Sequence, residues 1–600
     1  MPDLIKVIYN DRSATVNPTV SAVGATVIKS LRGSIEPVLF YKKQSKRIIE
    51  YFGIPDNGNE AIDDILNYND SYPIYVSAPS VGGKFGGVLV TKTGTEPFVG
   101  GKVSKTVDFS AINNYELPTQ VANGIITNFT KTIDDFANYN AQSITLSVGG
   151  VDVEITASDA EPEVLTCSLG AGTYTRATGV FDFTFTTAPT AGAVIEIGYT
   201  TNRSTDAYMA IFNKNAQTDD LAIKITSDTT SRFILNLYKK SGTVYNLLTD
   251  YPKTVSIIQN DEDGYKTNLY AEVLLKDSDY ITAVVNTSLT FSTFTVDTAN
   301  VVFAGGSRGL VNTAALTSGW EYFKSSKYTA NIFFDTTADS AIPAIFNTLR
   351  NSYQKYAYYI LPTTNVSYSD AITTYTSLMT DNKGIAFYWG WGKVINNYTG
   401  GTIASSLMGR RALRLADMVD VFNGLAPAWY NENGTHGGQL GSGIIEMFYD
   451  ADDDAQVLLE QARLNPTIMH PTFGVVNTRE RTSQSLQSDY SSIGHVRLAD
   501  YLVYNIITQA LPYQLYRLND SSHRATVKSQ IENIIRPTQA EPYNLLRDFI
   551  VKVDEENNND EVLARVEFVV AVSLKFTPFS KYITLFFSNT AQGTDVSENV

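Results

Sequence analysis

The chain has 600 residues, 43% of them hydrophobic and 18% charged, with a formal net charge of −16. That length exceeds what one hydrophobic core organises, so about three or four domains are expected, and the acidic balance repels phosphate and argues against nucleic acid as a partner. A single cysteine, Cys167, excludes an intramolecular disulfide and a cysteine-based metal site, and no window approaches the roughly 20 apolar residues that a membrane helix needs.

The N-terminus reads Met1-Pro2-Asp3-Leu4-Ile5-Lys6-Val7-Ile8-Tyr9. Its apolar stretch is too short and too interrupted for a signal peptide, which predicts a soluble protein outside the general secretory route. Leu4, Ile5, Val7, Ile8 and Tyr9 form a strand-like segment, and the polar stretch from Asn10 to Asn17 follows it. Such a segment needs a sheet to join. SKRIIEYFG, residues 45–53, predicts a short helix ended by Gly53 and Pro55, and a second helix is expected over Glu60 to Leu66.

From about 140 to 200 the pattern becomes strict alternation, as in ITLSVGGVDVEITA and FDFTFTTAPTAGAVIEIGYTT. That predicts an all-β module, and LAIKITS, RFILNLYKKSGTVYNLL and ITAVVN extend β structure to about residue 303 as one or two sandwich-like domains. The 36 tyrosines suit half-buried strands and wet interfaces. After Trp320 the order is α/β: NIFFDTT and YAYYILPT read as buried strands around the helical stretch SAIPAIFNTLRNSYQKY, and GIAFYWGWG adds another strand. Helices are expected to dominate about 452–546, one from Asp452 and Asp453 to Leu464, where Asn465-Pro466 stops it. Another, HVRLADYLVYNIITQAL, places Leu498, Tyr501, Leu502 and Ile506 on one face and ends at Pro512. Val562, Ala564, Val566, Phe568, Val570, Val572, Leu574 and Phe576 then predict one long strand with a buried face, paired with RDFIVKV across the turn DEENNND. A last strand, Tyr582 to Phe587, carries Tyr582, Ile583, Leu585 and Phe587, followed by a polar tail.

No motif carries chemistry. Gly305-Gly306-Ser307-Arg308-Gly309 matches the nucleophile elbow, but LVNTAALTSG after it shows no cap and no immediate helix. Asp450, Asp452 and Asp454 resemble a calcium loop, yet Ala455 stands where Gly is required and Gln461 where Glu is, so they read as helix-capping carboxylates. Phe85 breaks the phosphate-loop pattern of Gly82-Gly83-Lys84. His436, His470, His495 and His523 have no metal-ligand spacing. Trp389 and Trp391 alternate on a strand and read as core rather than as a sugar platform. The acidic turn Asp554 to Glu561 reads as a solvated loop. No catalytic, cofactor or metal residue is assigned.

A resemblance remains. Arg32-Gly33, Glu36-Pro37, Phe52-Gly53 and Pro55 near the start, KDSDYITAVV, FAGGSRG and LAPAWYNENG in the middle, and LLEQARLNPTI, Arg481-Thr482, Arg497 and DFIVKVDEENN later are similar, in order and spacing, to the signposts of contractile bacteriophage tail sheath proteins. Val496-Arg497 departs from that family's paired arginines. The resemblance implies an α+β multidomain chain: a C-terminal α/β sheath core with terminal strand arms, plus β-sandwich or β-barrel-like inserted domains. The expected divisions are 1–30 N-terminal arm and linker, 31–135 mixed α/β, 136–204 inserted β-rich outer domain, 205–310 β-sandwich-like, 311–576 α/β core and 577–600 C-terminal arm. It implies a non-enzymatic subunit without cofactors that stacks in hexameric rings around a tail tube and contracts to drive the tube through the host envelope. The implied partners are further copies, the tail tube protein, and baseplate and tail terminator proteins, with neither nucleic acid nor membrane insertion. The implied place is the virion, after assembly in the host bacterial cytoplasm. Leu4 to Tyr9 and Tyr582 to Phe587 would be the strands that join neighbours. A β-rich virion enzyme or glycan-binding spike, using Ser307 with a histidine or Trp389 and Trp391, is the alternative.

Overall fold

The computed structural model describes residues 22–578, apart from 31, 82–84, 103–106, 117, 119, 134, 215–220, 228–231, 242, 277, 279, 307, 421–427, 429–437 and 542. The short all-apolar runs IFF, YYILP and IAFYW are buried end to end as the strands Ile332–Phe334, Tyr358–Pro362 and Ile385–Trp389. Strands apolar on both faces belong in a parallel sheet covered on both sides. They form the middle of an eight-stranded sheet in the order Val38–Phe40, Ile74–Ser77, Gly24–Val27, Ile332–Phe334, Tyr358–Pro362, Ile385–Trp389, Leu464–His470, Gly474–Asn477. The six inner strands run parallel and the two outer ones antiparallel.

Alternate residues of these strands feed two cores. Ile332, Phe334, Tyr358, Ile360 and Tyr388 pack with the helices Ala61–Asn69, Met408–Asp420 and Ile493–Asn505. Phe333, Tyr359, Leu361, Phe387 and Trp389 pack with Thr313–Glu321, Ile342–Thr348, Tyr368–Leu378 and Asp453–Gln461. The sheet is thus the middle layer of a mixed α/β chain with several sheets.

Polar groups lock this layer where helices meet it. Asp64 is fully buried and accepts from Gly409 N at 2.9 Å and Ser406 Oγ at 2.8 Å, tying two helices together. Burial, with Asp63 beside it, pushes its carboxyl up to about 6. Asp335, at the carboxyl end of Ile332–Phe334, accepts from Thr337 Oγ1 and Ala338 N, both at 2.8 Å, and burial raises it likewise to about 6. Arg350 donates to Asp500 at 2.8 Å and to Ala357 O at 2.7 Å in a buried pair. Gly384 lies so close under Arg350 that a Cβ there would stand 2.2 Å from its Nε.

Two further β layers precede and interrupt this core in sequence. Ile281–Val285, Ala207–Asn213, Phe85–Thr91 and Gly94–Lys102 form one sheet. It shares a core, including Val88, Val90, Ile211, Ile223, Phe233 and Leu235, with the sheet of Val244–Leu247, Arg232–Ser241, Leu221–Ser227 and Val301–Val302. The alternating 140–200 segment builds two more sheets around Phe129, Leu146, Leu165, Tyr174, Phe181 and Tyr199. Two of their strands, Ile112–Glu116 and Asn128–Thr132, come from before residue 136. Arg203 sits at the junction of the two β layers, where it pairs with Asp135 at 2.9 Å, Asp206 at 3.0 Å and Glu96.

Three expectations are corrected. The helix from Asp453 ends at Gln461, and LNPTIMH, expected to stop it, is the strand Leu464–His470 in the central sheet. Pro466 O accepts from Thr478 N at 3.0 Å, Arg479 Nη1 donates to Thr478 O at 2.9 Å, and Asn465 Nδ2 donates to Phe387 O at 2.9 Å and to Arg481 O at 2.8 Å. Strands therefore interrupt the region expected to be helical. A capped helix does follow the Gly305–Gly309 segment: Asn312 accepts from Ala315 N and opens Thr313–Glu321. Third, the row from Val562 to Phe576 is not one strand. Asp560–Ala564 is a short helix, Val566 turns at φ 57°, and the strand covers Ala571–Phe576. Asn559 caps that helix through Val562 N at 3.1 Å, with Asp560 and Glu561 in its first turn. This local cap and the dipole outweigh the period-two pattern.

Candidate assembly surface

The C-terminal part of the described chain is a separate apolar cluster. Ser521–Gln539 starts at Asp520, which accepts from His523 N at 2.7 Å. Val527, Ile531 and Ile535, four apart, line its buried face. Against it and Ile493–Asn505 packs a hairpin of Leu546–Lys552 and Ala571–Phe576. The expected pairing of RDFIVKV with the end of the row is therefore present.

Its register puts Leu546 opposite Phe576, Phe549 opposite Leu574 and Val551 opposite Val572, all on the face toward the helices. A bulge at Arg547 keeps this alternation in phase. On the outer face stand Asp548 and Lys575, Ile550 and Ser573, and Lys552 and Ala571. Ile550 is 62% exposed there. His495 fastens the hairpin's exit: its ring stacks on Phe576 at 4.8 Å, with ring nitrogens 3.1 Å from Asp489 O and 3.0 Å from Thr577 O. Among the described residues the sheet has two strands, and no third strand pairs with either edge. A two-stranded sheet is marginal alone, and a strand edge without a neighbour is a template for a further strand; Arg547 O accepts from Gln539 Nε2 at 3.1 Å and Lys552 O from Asn557 Nδ2 at 2.8 Å.

The segments expected to supply joining strands, Leu4, Ile5, Val7, Ile8 and Tyr9, and Tyr582, Ile583, Leu585 and Phe587, lie outside the described residues. Signpost residues of the resemblance that are among the described residues hold main chain in place. Arg32 donates to Ile49 O at 3.1 Å, Thr482 to Tyr490 O at 2.9 Å, and Arg481 to Glu460 O at 3.0 Å. Arg497 is 3% exposed, beside the Arg350–Asp500 pair, and burial holds its guanidinium below the usual range. Gly33, at φ 134°, has the Phe52 ring where a Cβ would stand.

The motifs weighed for chemistry find other uses. Trp389 is 1% exposed and donates to Val366 O at 3.0 Å, while Trp391 donates to Thr363 O at 2.6 Å, so Trp389 offers no face to a sugar. Asp452 caps its helix through Ala455 N at 2.8 Å. His470 stacks on Phe473. Ser307, Lys84 and His436 lie outside the described residues. Arg308 binds Ser30 O and Pro79 O at 3.2 and 3.3 Å, and burial lowers it to about 10. Among the described residues no three metal-ligating side chains gather, and no helix is long and apolar enough to cross a membrane.

No family model matches the chain. Over 170 residues it is 29% identical to the tail sheath protein of Vibrio phage KVP40, covering 28% of this chain and 25% of that protein. Over 174 residues it is 26% identical to the tail sheath protein of Enterobacteria phage T4, covering 29% and 26%. The matched stretch spans about a quarter of these curated relatives' length. The solved sheath tail protein from Listeria innocua aligns over 92% of this chain and 95% of its own, at 9% identity and a TM-score of 0.47, too low to fix a shared fold. Over that quarter of their length, the chain is similar in sequence to two bacteriophage tail sheath proteins.

Proposed function

We propose that this chain is a non-enzymatic structural subunit of a contractile tail sheath. It polymerises as stacked hexameric rings around a tail tube, between baseplate and terminator proteins, as a component of the virion assembled in the host cytoplasm. The relation to tail sheath proteins carries this reading. The hairpin that has two strands among the described residues supports it. Residues 4–9 and 582–587 are the strands that neighbours exchange, and the sheet of Leu546–Lys552 and Ala571–Phe576 receives them.

Main-chain pairing contributes about 1 kcal/mol per hydrogen bond, so a short strand at each end ties neighbours without side-chain specificity. The joints hold while domains move as rigid bodies between an extended and a contracted state. New interface burial drives that change. Removing residues 1–20 tests the reading: the truncated chain should stay folded and monomeric while the full chain forms tubes under the electron microscope. Ordered tubes from the truncated chain would contradict the N-terminal joint.

A further inference from the structure

One apolar tip stands clear of every described core. Tyr516 and Leu518 are 107% and 81% exposed, and Val566 is 89% exposed. Tyr516 and Val566 both lie at positive φ, 63° and 57°, a conformation that disfavours a β-branched side chain in particular. The loops that carry them are fastened to each other. Asn519 Nδ2 donates to Glu567 O at 3.3 Å, and Arg524 Nη1 donates to Asn519 O at 3.2 Å. Asn558 exchanges hydrogen bonds with Val569, at 2.9 and 2.8 Å. The apolar side chains are therefore held outward on a fixed frame.

The rim of this tip is acidic. Residues 552–567 hold six carboxylates against Lys552 and Arg565, a net charge of −4, and Asp554, Glu555, Glu556, Asp560 and Glu561 are exposed. The complement lies elsewhere in the same sequence. Lys42, Lys43, Lys46 and Arg47 give +4 in six residues, and no other six-residue run has four basic residues. The three lysines are exposed, and Tyr41 beside them is 41% exposed. This turn follows Val38–Phe40, the outermost strand of the central sheet. Within one chain the rim carboxylates Glu555, Glu556, Glu561 and Glu567 pair with Arg524, Lys552 and Arg565 of their own region.

We infer that the tip at 515–518 and 563–567 docks on residues 41–47 of a second copy of this chain, head to tail. The inference rests on the sheath reading and names one of its contacts. Opposite charge sets orientation and rejects like faces, and the lysine stems and Tyr41 cover the apolar centre. A contact between two different patches that does not close on itself propagates into a helix. Of the other acidic runs, Asp450 to Asp454 serves its own helix through the Asp452 cap and first-turn carboxylates, and in Asp261 to Asp263 the first pairs with Arg232 and the last accepts from Tyr265 N and Thr267 N.

Charge reversal tests the contact in the full chain, read by electron microscopy and sedimentation. Lys42→Glu/Lys43→Glu/Lys46→Glu, or Glu555→Lys/Glu556→Lys/Glu561→Lys, should each cut polymer at least ten-fold. The chain carrying both sets should regain it. Val566→Asn should raise or leave the melting temperature and still weaken polymerisation, which a merely structural role would not produce. If both reversals polymerise like the unaltered chain, or if Asp453→Lys/Asp454→Lys rescues the lysine reversal in place of the 555–561 set, the contact is wrong and the sheath reading stands. An unaltered chain that stays monomeric overturns both.

Discussion

At the residue scale, the buried charges define what the core tolerates. Arg350 and Asp500 are paired inside the layer that also holds Arg497. Removing one partner strands the other, so Arg350→Met should cost about 3–5 kcal/mol in chemical denaturation, and adding Asp500→Leu should return part of it. Asp64 and Asp335 give the pH dependence. Burial favours their neutral form, so between about 4 and 6 the folded chain holds protons that the unfolded chain releases. Their contribution to stability is therefore greatest in acid, falls as pH rises through that window, and stays low above it. Relative to Asp64→Asn/Asp335→Asn, the unaltered chain should gain about 1 kcal/mol per site between pH 7 and pH 5, measured by denaturation at each pH. A parallel pH response in both would remove these carboxyls from the account. Neither residue was legible in the sequence, because an aspartate in DDILNYN or FFDTT looks like any turn or surface acid until the helix or hydroxyl it binds is placed beside it.

At the element scale, periodicity was legible wherever packing and local chemistry agree. IFF, YYILP and IAFYW read as buried strands and are, and the alternating 140–200 segment is all β. The failures sit where a local signal competes. Asn559 and two acids outweigh alternation between Val562 and Val566, and Asn465-Pro466 reads as a helix stop although its carbonyls and amide fit an inner strand. Asn559→Ala should therefore cost about 1 kcal/mol in denaturation of the full chain. No loss at all would mean that packing of Val562, not the cap, holds the helix. The hairpin partner of Leu546–Lys552 was legible, and that the sheet has two strands among the described residues required the structure.

At the scale of the whole molecule, order along the chain carried more than any single motif. Arg32, Arg481, Thr482 and Arg497 are each ordinary, and each holds main chain or sits in a core. Their spacing resembled a sheath protein, and a quarter of two phage tail sheath proteins aligns with this chain. What composition could not reveal is how the β layers are threaded: Phe85–Thr91, Ile112–Glu116 and Asn128–Thr132 pair with Ala207–Asn213, Ile195–Thr201 and Val180–Phe185, far along the chain, and Arg203 with three carboxylates marks where the layers join. Such pairings depend on chain reversal across the molecule, which no window of sequence contains. Arg203→Met should loosen that junction and raise hydrogen exchange along Gly94–Lys102 and Ile195–Thr201, leaving the central sheet protected.

The central claim is assembly. Electron microscopy of the purified 600-residue chain decides it: hollow helical tubes of stacked six-membered rings are expected, and a chain that remains monomeric across salt and concentration would refute assembly.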